Sequence, residues 1–232
     1  MNIAALLQKT ALSFPANPAL TIGRRVTADY AAFHDRAARL AGMLRGRLGF
    51  SPGDRVAIAM NNAPAFYEWL FGIWHAGLVA VPMNAKLHRD ELAYIVANSG
   101  SRLVVTDDKL AATVAPLAGQ VPGLERVLVA GRDDGVEGMA PLPLAHCESD
   151  APAWLFYTSG TTGRPKGATL THRNLLVMTL SYFADVDAIQ PEDCILHAAP
   201  MSHGSGLYGL AHVAKGANNV IPESGGFDAT EV

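Results

Sequence analysis

The chain has 232 residues, of which 50% are hydrophobic and 17% charged, a composition that argues against disorder and supplies enough apolar surface for a core. Its formal net charge of −3 offers no basic surface for a phosphate backbone, which argues against nucleic acid as a partner. Cys147 and Cys194 have the spacing of neither a disulfide framework nor a zinc site, so we expect a reducing, cytoplasmic setting and no metal ligands.

The N-terminus has the pattern of a helix of the fold. Residues 1–14 lack a basic segment followed by an unbroken apolar run, since Gln8 and Lys9 interrupt it, so a secretory signal is not indicated. No run approaches the roughly 20 apolar residues that a membrane-spanning helix needs.

The first half of the chain alternates helices and strands. Thr27 is the predicted N-cap of a long helix that starts near Ala28 and ends at Gly49. Continuous apolar runs then predict strands at 55–60, 78–83, 102–106 and 125–130, separated by helices at about 63–75, 89–98 and 109–117. This alternation predicts an α/β fold with mostly parallel sheets and helices on both faces. Residues 131–150, rich in Gly, Pro and acidic residues, predict a surface loop.

The second half continues the pattern. It predicts strands at 153–158, 167–170, 194–200 and 218–222 and helices at about 172–183 and 207–215, with a glycine-rich turn before the last helix. Asp228 and Glu231 have the spacing of a capping box, which predicts a further helix. Because a helix of under two turns is unstable, we expect the natural protein to continue beyond Val232.

The segment YTSGTTGRPKG, residues 157–167, directly follows a predicted strand. Its glycines can turn backbone N–H groups inward as an anion site, its hydroxyls add donors, and Lys166 adds a mobile positive charge. This combination predicts a polyphosphate site. It is not a Walker loop, because Lys166 stands between Pro165 and Gly167 and no Ser or Thr follows it. A surface loop that merely contains turn residues is the alternative.

The wider segment YTSGTTGRPKGATLTHRNL, residues 157–175, resembles nearly residue for residue the phosphate-loop signature of the adenylate-forming superfamily, which comprises acyl-CoA synthetases, peptide-synthetase adenylation domains and luciferases. MNAKLHRDELAYIVANSGSRLVVTDD, starting at Met83, and CILHAAPMSHGSGLYG, starting at Cys194, are similar to other segments of that family. The resemblance covers essentially the whole chain. It implies an incomplete large N-terminal domain, with residues 1–50 and about 193–232 in one α/β subdomain, about 51–192 in the other, and the small C-terminal domain absent.

The resemblance also implies roles for particular residues. The ATP phosphates would contact Thr158, Ser159, Gly160, Thr161, Thr162, Gly163 and Lys166. Lys166, Thr162 and His203 would be the catalytic residues, and His203 would lie at the edge of the acyl and adenylate site. Gly204, Ser205 and Gly206 would leave bare backbone beside His203 for the substrate carboxylate or acyl chain.

The implied activity is activation of a carboxylic acid by ATP to an acyl-adenylate, followed by thioester formation with CoA, as in AMP-forming acid-CoA ligases. Magnesium would bridge the phosphates, with its ligands mostly outside this chain, and no protein nucleophile would be needed. Fatty, aromatic, malonyl-like and amino acids all stay open as substrates, because most of the acyl pocket would come from residues after 232.

Two other functions remain open. The chain lacks the aromatic-Gly-x-Thr-Glu segment and the lysine-bearing C-terminal domain of the family, so it could be a non-catalytic fragment with at most weak nucleotide binding. Gly204–Gly209 satisfies GxGxxG and could belong to a dinucleotide-binding oxidoreductase, although the phosphate loop would then be unexplained.

Other motifs and residues do not indicate a further site. His197, His203 and His212 lack metal-site spacing, GxSxG is absent, and His172 beside a predicted helix start is a structural residue. The acidic pairs at 107–108 and 133–134 are interpreted as solvated charges.

Overall fold

The computed structural model describes residues 1–158 and 164–231. Within these residues the strands have the following bounds: β1, Pro18–Ile22; β2, Arg25–Asp29; β3, Arg55–Ala59; β4, Val79–Met83; β5, Ser101–Thr106; β6, Arg126–Val129; β7, Pro152–Thr158; β8, Lys166–Thr171; β9, Cys194–Leu196; β10, Asn218–Ile221. The α-helices have the following bounds: α1, Ala5–Ser13; α2, Tyr30–Gly42; α3, Pro64–His75; α4, Arg89–Ser99; α5, Ala111–Val114; α6, His172–Asp185; α7, Gly204–Lys215.

The larger sheet has six strands in the order β6-β5-β3-β4-β7-β8. Neighbouring strands are parallel except for β7 and β8, which form an antiparallel hairpin. Its central strands are buried on both faces. All five residues of β4 are buried, which is why this strand is a continuous apolar run in the sequence. The prediction of an α/β fold with a mostly parallel sheet is confirmed.

The smaller sheet joins the two ends of the chain in the order β2-β1-β10-β9. β1 pairs in parallel with β10, and β10 pairs in parallel with β9. The sequence pattern did not predict the antiparallel hairpin of β1 and β2, whose strands are short and whose second strand is largely exposed.

The predicted N-cap at Thr27 was wrong. Thr27 lies inside β2, where its hydroxyl donates to the carbonyl oxygen of Leu20 at 3.0 Å. Asp29 caps α2 instead, since its carboxylate accepts a hydrogen bond from the backbone N–H of Ala32 at 2.8 Å. Both residue types favour an N-cap position, but β2 continues past Thr27 and ends at Asp29, directly before the first residue of α2.

Helices cover both faces of the larger sheet. α3 lies between the sheets and contacts β1 on one side and β3 and β4 on the other. Along β3, Val56 and Ile58 belong to the core that α3 fills, whereas Ala57 and Ala59 belong to the core beneath α4 and α5. Among the described residues, no helix combines the length and the apolar character needed to cross a membrane.

Three element boundaries in the structure differ from the predicted ones. The long second helix finishes in a π-helical turn at Met43–Arg47. The strand predicted at 194–200 is only Cys194–Leu196, and the glycine-rich turn is the first turn of α7. Residues 229–231 form a turn, and the carboxylate of Asp228 accepts from the backbone N–H of Thr230 at 2.8 Å, as an N-cap side chain would. The helix predicted to follow Asp228 stays a prediction.

Two of the four acidic residues interpreted as solvated charges are not exposed. Asp134 was expected to be a solvated charge, but it is 2% exposed and accepts a hydrogen bond from Arg36 at 3.0 Å. Asp107 is also engaged, since its carboxylate accepts from the backbone and side chain of Asn61 at 2.8 Å. Asp108 and Asp133 are exposed, as expected.

Candidate functional site

The candidate site lies at the carboxyl ends of the parallel strands. This edge of an open α/β sheet is where ligands ordinarily bind. A cavity of about 140 Å³ opens there between β4, β7, α4 and the start of α7. It is lined by Pro82, Met83, Asn84, Leu87, Glu91, Ile95, Tyr157, Thr158, Pro165 and His203. Thr158 and Pro165, which flank the predicted phosphate loop, and His203 therefore line the same cavity.

The phosphate loop connects the antiparallel strands β7 and β8. Thr158 pairs with Lys166 as the last pair of the ladder, and both residues are exposed. Thr158 and Lys166 therefore lie at the carboxyl edge of the parallel strands. The predicted phosphate contacts of Ser159, Gly160, Thr161, Thr162 and Gly163 lie outside the described residues.

Tyr157 supports the base of this loop. A Cβ at Gly167 would lie 2.8 Å from the Tyr157 ring, so only glycine lets the ring cover this part of β8. The Tyr157 hydroxyl donates to the Oδ1 atom of Asn98 on α4 at 2.6 Å. Burial raises the pKa of Tyr157, so its hydroxyl stays protonated and keeps this bond. The loop is thus connected through β7 to α4.

His203 occupies the N-cap position of α7 and lines the same cavity. Its ring meets the Phe156 ring edge to face, with 5.4 Å between centroids. Its Nδ1 lies 3.0 Å from the hydroxyl of Ser202. Burial lowers the pKa of His203, which favours the neutral imidazole at neutral pH. A neutral ring can donate or accept a hydrogen bond but brings no positive charge.

The three residues after His203 have different surroundings. Gly204 has open space where a Cβ would stand, as a residue that admits a ligand would need. Ser205 is hydrogen-bonded to the Nδ1 of His197 at 2.7 Å. A Cβ at Gly206 would lie 1.9 Å from the carbonyl oxygen of Met201, so this glycine is required by packing within the chain. Substrate contact by all three remains a prediction.

Close packing within the chain explains two glycines of the GxGxxG pattern. A Cβ at Gly209 would lie 1.7 Å from the hydroxyl oxygen of Tyr67 on α3. Gly206 and Gly209 therefore permit close packing around the start of α7, and neither is needed for a dinucleotide.

Sequence reasoning missed the network around His197. This residue is fully buried, and its ring nitrogens lie 2.7 Å from Ser205 Oγ and 3.2 Å from Asn219 Oδ1. Burial lowers its pKa to about 4, so the ring is neutral at neutral pH.

Asn62 was missed as well: it hydrogen-bonds the backbone of the segment that leads to His203. An asparagine between a strand and a helix carries no pattern that would reveal this partner.

The resemblance implies two groups at this site, the phosphates of ATP and a magnesium ion. A threonine hydroxyl and a lysine ammonium at the two ends of the loop are suitable donors for phosphate oxygens. By contrast, within residues 1–158 and 164–231 no three His, Cys, Asp and Glu side chains are grouped so that they could hold a metal ion.

His172 has the structural role that its position indicated. It is 1% exposed, and its Nδ1 accepts a hydrogen bond from the backbone N–H of Ile3 at 3.1 Å. Burial lowers its pKa to about 4, which keeps the ring neutral.

The comparisons with known proteins agree on one family. The sequence model of a family described as AMP-binding enzyme matches residues 7–231. A feruloyl-CoA synthase from Amycolatopsis sp is 38% identical over 195 residues, which cover 83% of this chain and 38% of that protein. The long-chain-fatty-acid–CoA ligase FadD13 of Mycobacterium tuberculosis is 33% identical over 215 residues, which cover 89% of this chain and 42% of that protein.

Solved structures give the same result. The inhibitor-bound N-terminal domain of FACL13 from Mycobacterium tuberculosis superposes with a TM-score of 0.89 at 29% identity, over 99% of this chain and 58% of that chain. A benzoate CoA ligase from Burkholderia xenovorans LB400 superposes with a TM-score of 0.86 at 25% identity, over 96% of this chain and 45% of that chain. The chain spans about two fifths of the length of the curated relatives above.

Proposed function

The chain belongs to the AMP-binding enzyme family, and on that basis we propose that the full-length protein is an AMP-forming acid-CoA ligase. In the first step the carboxylate of the acid attacks the α-phosphorus of ATP, which gives an acyl-adenylate and releases pyrophosphate. In the second step the thiol of CoA attacks the acyl carbon and AMP leaves. The proposal includes the division of this chain into the two α/β subdomains expected from its sequence.

One observation carries the proposal: the ends of the phosphate loop and His203 lie around the same cavity. Thr158 and Lys166 would donate to the phosphates and neutralise the charge that develops on the departing pyrophosphate. Ser159 to Gly163 would supply further donors to the same phosphates. Donors held in place before the reaction need little reorganisation as the charge moves, which is why positioning can replace a protein nucleophile.

His203, which lines the same cavity, would act on the acid. Because burial favours its neutral form, the ring would orient the carboxylate or the acyl chain by hydrogen bonding and contact, and not by ion pairing. A neutral ring leaves the carboxylate charge available for attack on phosphorus.

The first test is acid-dependent exchange of pyrophosphate into ATP by the purified full-length protein. The acids to try are those of the relatives: ferulate, a long-chain fatty acid, oxalate and 4-hydroxybutyrate. We expect exchange with at least one acid of these classes and a CoA thioester when CoA is added. If no acid in a broad panel supports exchange, the proposed function is wrong.

Lys166→Ala in the full-length protein tests the phosphate loop. We expect a slower single-turnover adenylation with an unchanged circular dichroism spectrum, because the exposed side chain contributes donors and little packing. Lys9→Ala on α1 removes a second exposed lysine away from the cavity and is the matched control. Equal adenylation rates for Lys166→Ala and the unmodified protein would remove Lys166 from the mechanism.

The chain of 232 residues is expected to be inactive by itself. The motivation is its length relative to the ligases that it resembles, together with the family segments that its sequence lacks. Robust acid-dependent exchange by the purified 232-residue chain would refute this expectation.

A further inference from the structure

The segment from His197 to Gly206 delivers His203 to the cavity. It starts where β9 ends and finishes in the first turn of α7. Residues 198–203 belong to neither a helix nor a strand, so sheet pairing does not fix the position of His203. Its placement must come from other contacts.

Asn62 supplies three of these contacts from the other sheet. It follows β3 in the larger sheet, whereas β9 belongs to the smaller one. Its side-chain amide nitrogen donates to the carbonyl oxygens of His197 and Ala199, both at 2.8 Å. Its side-chain oxygen accepts from the backbone N–H of Met201 at 2.8 Å. Both amide hydrogens and one lone pair are thus used by three alternate residues of a single segment.

The two ends of the segment are held separately. At the start, the backbone N–H of His197 donates to the carbonyl oxygen of Val220, and its ring contacts Ser205 and Asn219. At the other end, the Tyr67 hydroxyl donates to the carbonyl oxygen of Gly206 at 3.0 Å. Asn62 is therefore the side chain that fixes the middle, directly before His203.

We propose that Asn62 is a positioning residue that sets His203 against the cavity by holding the backbone of residues 197–201. Its link to catalysis rests on the proposed function, because His203 acts on the acid only if the protein is a ligase. Asn62 does not line the cavity that contains His203 and Thr158, so its effect is transmitted through the segment and not by contact with substrate there.

Asn62→Asp in the full-length protein is the sharpest variant. It keeps the shape and the oxygen that accepts from Met201, but replaces the nitrogen that donates to His197 and Ala199. A carboxylate would then face two carbonyl oxygens, and all three groups repel one another. We expect kcat/KM for the acid to fall by about tenfold to a hundredfold, as a displacement near 1 Å can cause, with a larger change in KM for the acid than for ATP.

A double-mutant cycle with His203→Ala separates positioning from general damage. If Asn62 acts through His203, then Asn62→Asp should reduce adenylation less than about twofold in the His203→Ala background, because the group it positions is absent. The same fold loss in both backgrounds would overturn the proposal. Asn61→Asp is the matched control, since it makes the same chemical change one residue away, where the side chain contacts Asp107 and not the segment.

A readout that does not need activity keeps the two proposals distinguishable. In full-length protein with ¹³C-labelled histidine, the His203 signal can be assigned by its loss in His203→Ala. We expect both Asn62→Asp and Asn62→Ala to shift this signal and to raise the pKa of His203 toward its ordinary value near 6.5. Asn62→Ala adds no charge, so the change in its pKa reports only that the ring leaves its half-buried place. An unchanged signal and titration would overturn the positioning role even if the protein proved not to be a ligase. If Asn62→Asp does not fold, Asn62→Ala removes the three bonds without adding charge and is measured in the same way.

Discussion

The two sheets of this chain differ in how they are buried. In the larger sheet the strands β3 and β5 are buried at almost every position, and all of β4 is buried. In the smaller sheet β2 has no buried residue, and Leu196 of the edge strand β9 is 40% exposed. Fully covered strands gain apolar burial on both faces, at about 25 cal/mol for each Å². The strands β2 and β9 of the smaller sheet gain less from burial, and so does β8 at the edge of the larger sheet, which has no buried residue either.

The largest expected loss of stability comes from the contact between α7 and α3, which lies between the two sheets. Gly209→Ala would place a Cβ 1.7 Å from the Tyr67 hydroxyl, so α7 and α3 must move apart. We expect a loss of about 3 kcal/mol or more, or failure to accumulate as folded protein, since overpacking of a rigid core has this cost at its upper end. Thermal unfolding and soluble yield measure it. Gly46→Ala, where a Cβ meets nothing within 4 Å, should leave both unchanged or improved.

One truncation in each sheet compares a buried central strand with an exposed edge strand. Ile58→Ala in β3 removes a fully buried side chain and should cost about 2–5 kcal/mol. Leu196→Ala in β9 removes a side chain that is 40% exposed and should cost under about 1 kcal/mol. Denaturant midpoints of the two variants give the comparison. Equal losses would mean that the difference in burial between the sheets does not determine their stability.

Two of the buried histidines have a strongly lowered pKa, His172 beside β8 and His197 after β9. Burial lowers the pKa of each to about 4 from the ordinary 6.5. As the pH falls, the unfolded chain takes up its proton first, so stability is full above about 6.5 and is lost between about 6.5 and 4. The loss is at most about 1.4 kcal/mol per pH unit for each histidine.

Chemical unfolding at a series of pH values tests this dependence. His172→Gln should flatten the slope between pH 6.5 and 4, because glutamine does not titrate. His146→Gln replaces a side chain that is 84% exposed and should leave the slope unchanged. If His172→Gln and the unmodified protein have parallel pH profiles, burial of His172 is not a source of acid sensitivity.

The smallest expected effect concerns the start of α2. Asp29→Ala should cost about 1 kcal/mol, because it removes the side chain that caps the helix. Thr27→Ala should cost less, since the Thr27 hydroxyl bonds to Leu20 within a hairpin that is largely exposed. Thermal midpoints measured side by side decide between the two residues, and a larger loss for Thr27→Ala would restore it as the more important residue.

Part of the candidate site could be predicted from sequence because its signal is local. The segment from Tyr157 to Gly167 is contiguous, so residue types alone indicated a phosphate loop after a strand, and β7 does end at Thr158. His203 was found only through resemblance to a family segment, since a single histidine has no pattern. Asn62 was not found at all, because its partners lie more than 130 residues further along the chain.

The sequence by itself determined the elements that repeat over a few residues. Strands β3 to β7 are visible as short apolar runs, and the helices between them as periodic segments, because burial of a face imposes a period on nearby residues. Only the tertiary structure decided which distant groups meet. Three contacts join residues about 100 to 200 positions apart: the pairing of β1 with β10, the hydrogen bond of Arg36 to the buried Asp134, and the hydrogen bond of Met201 to Asn62 before His203. Such contacts depend on how completed elements pack, which no local period records.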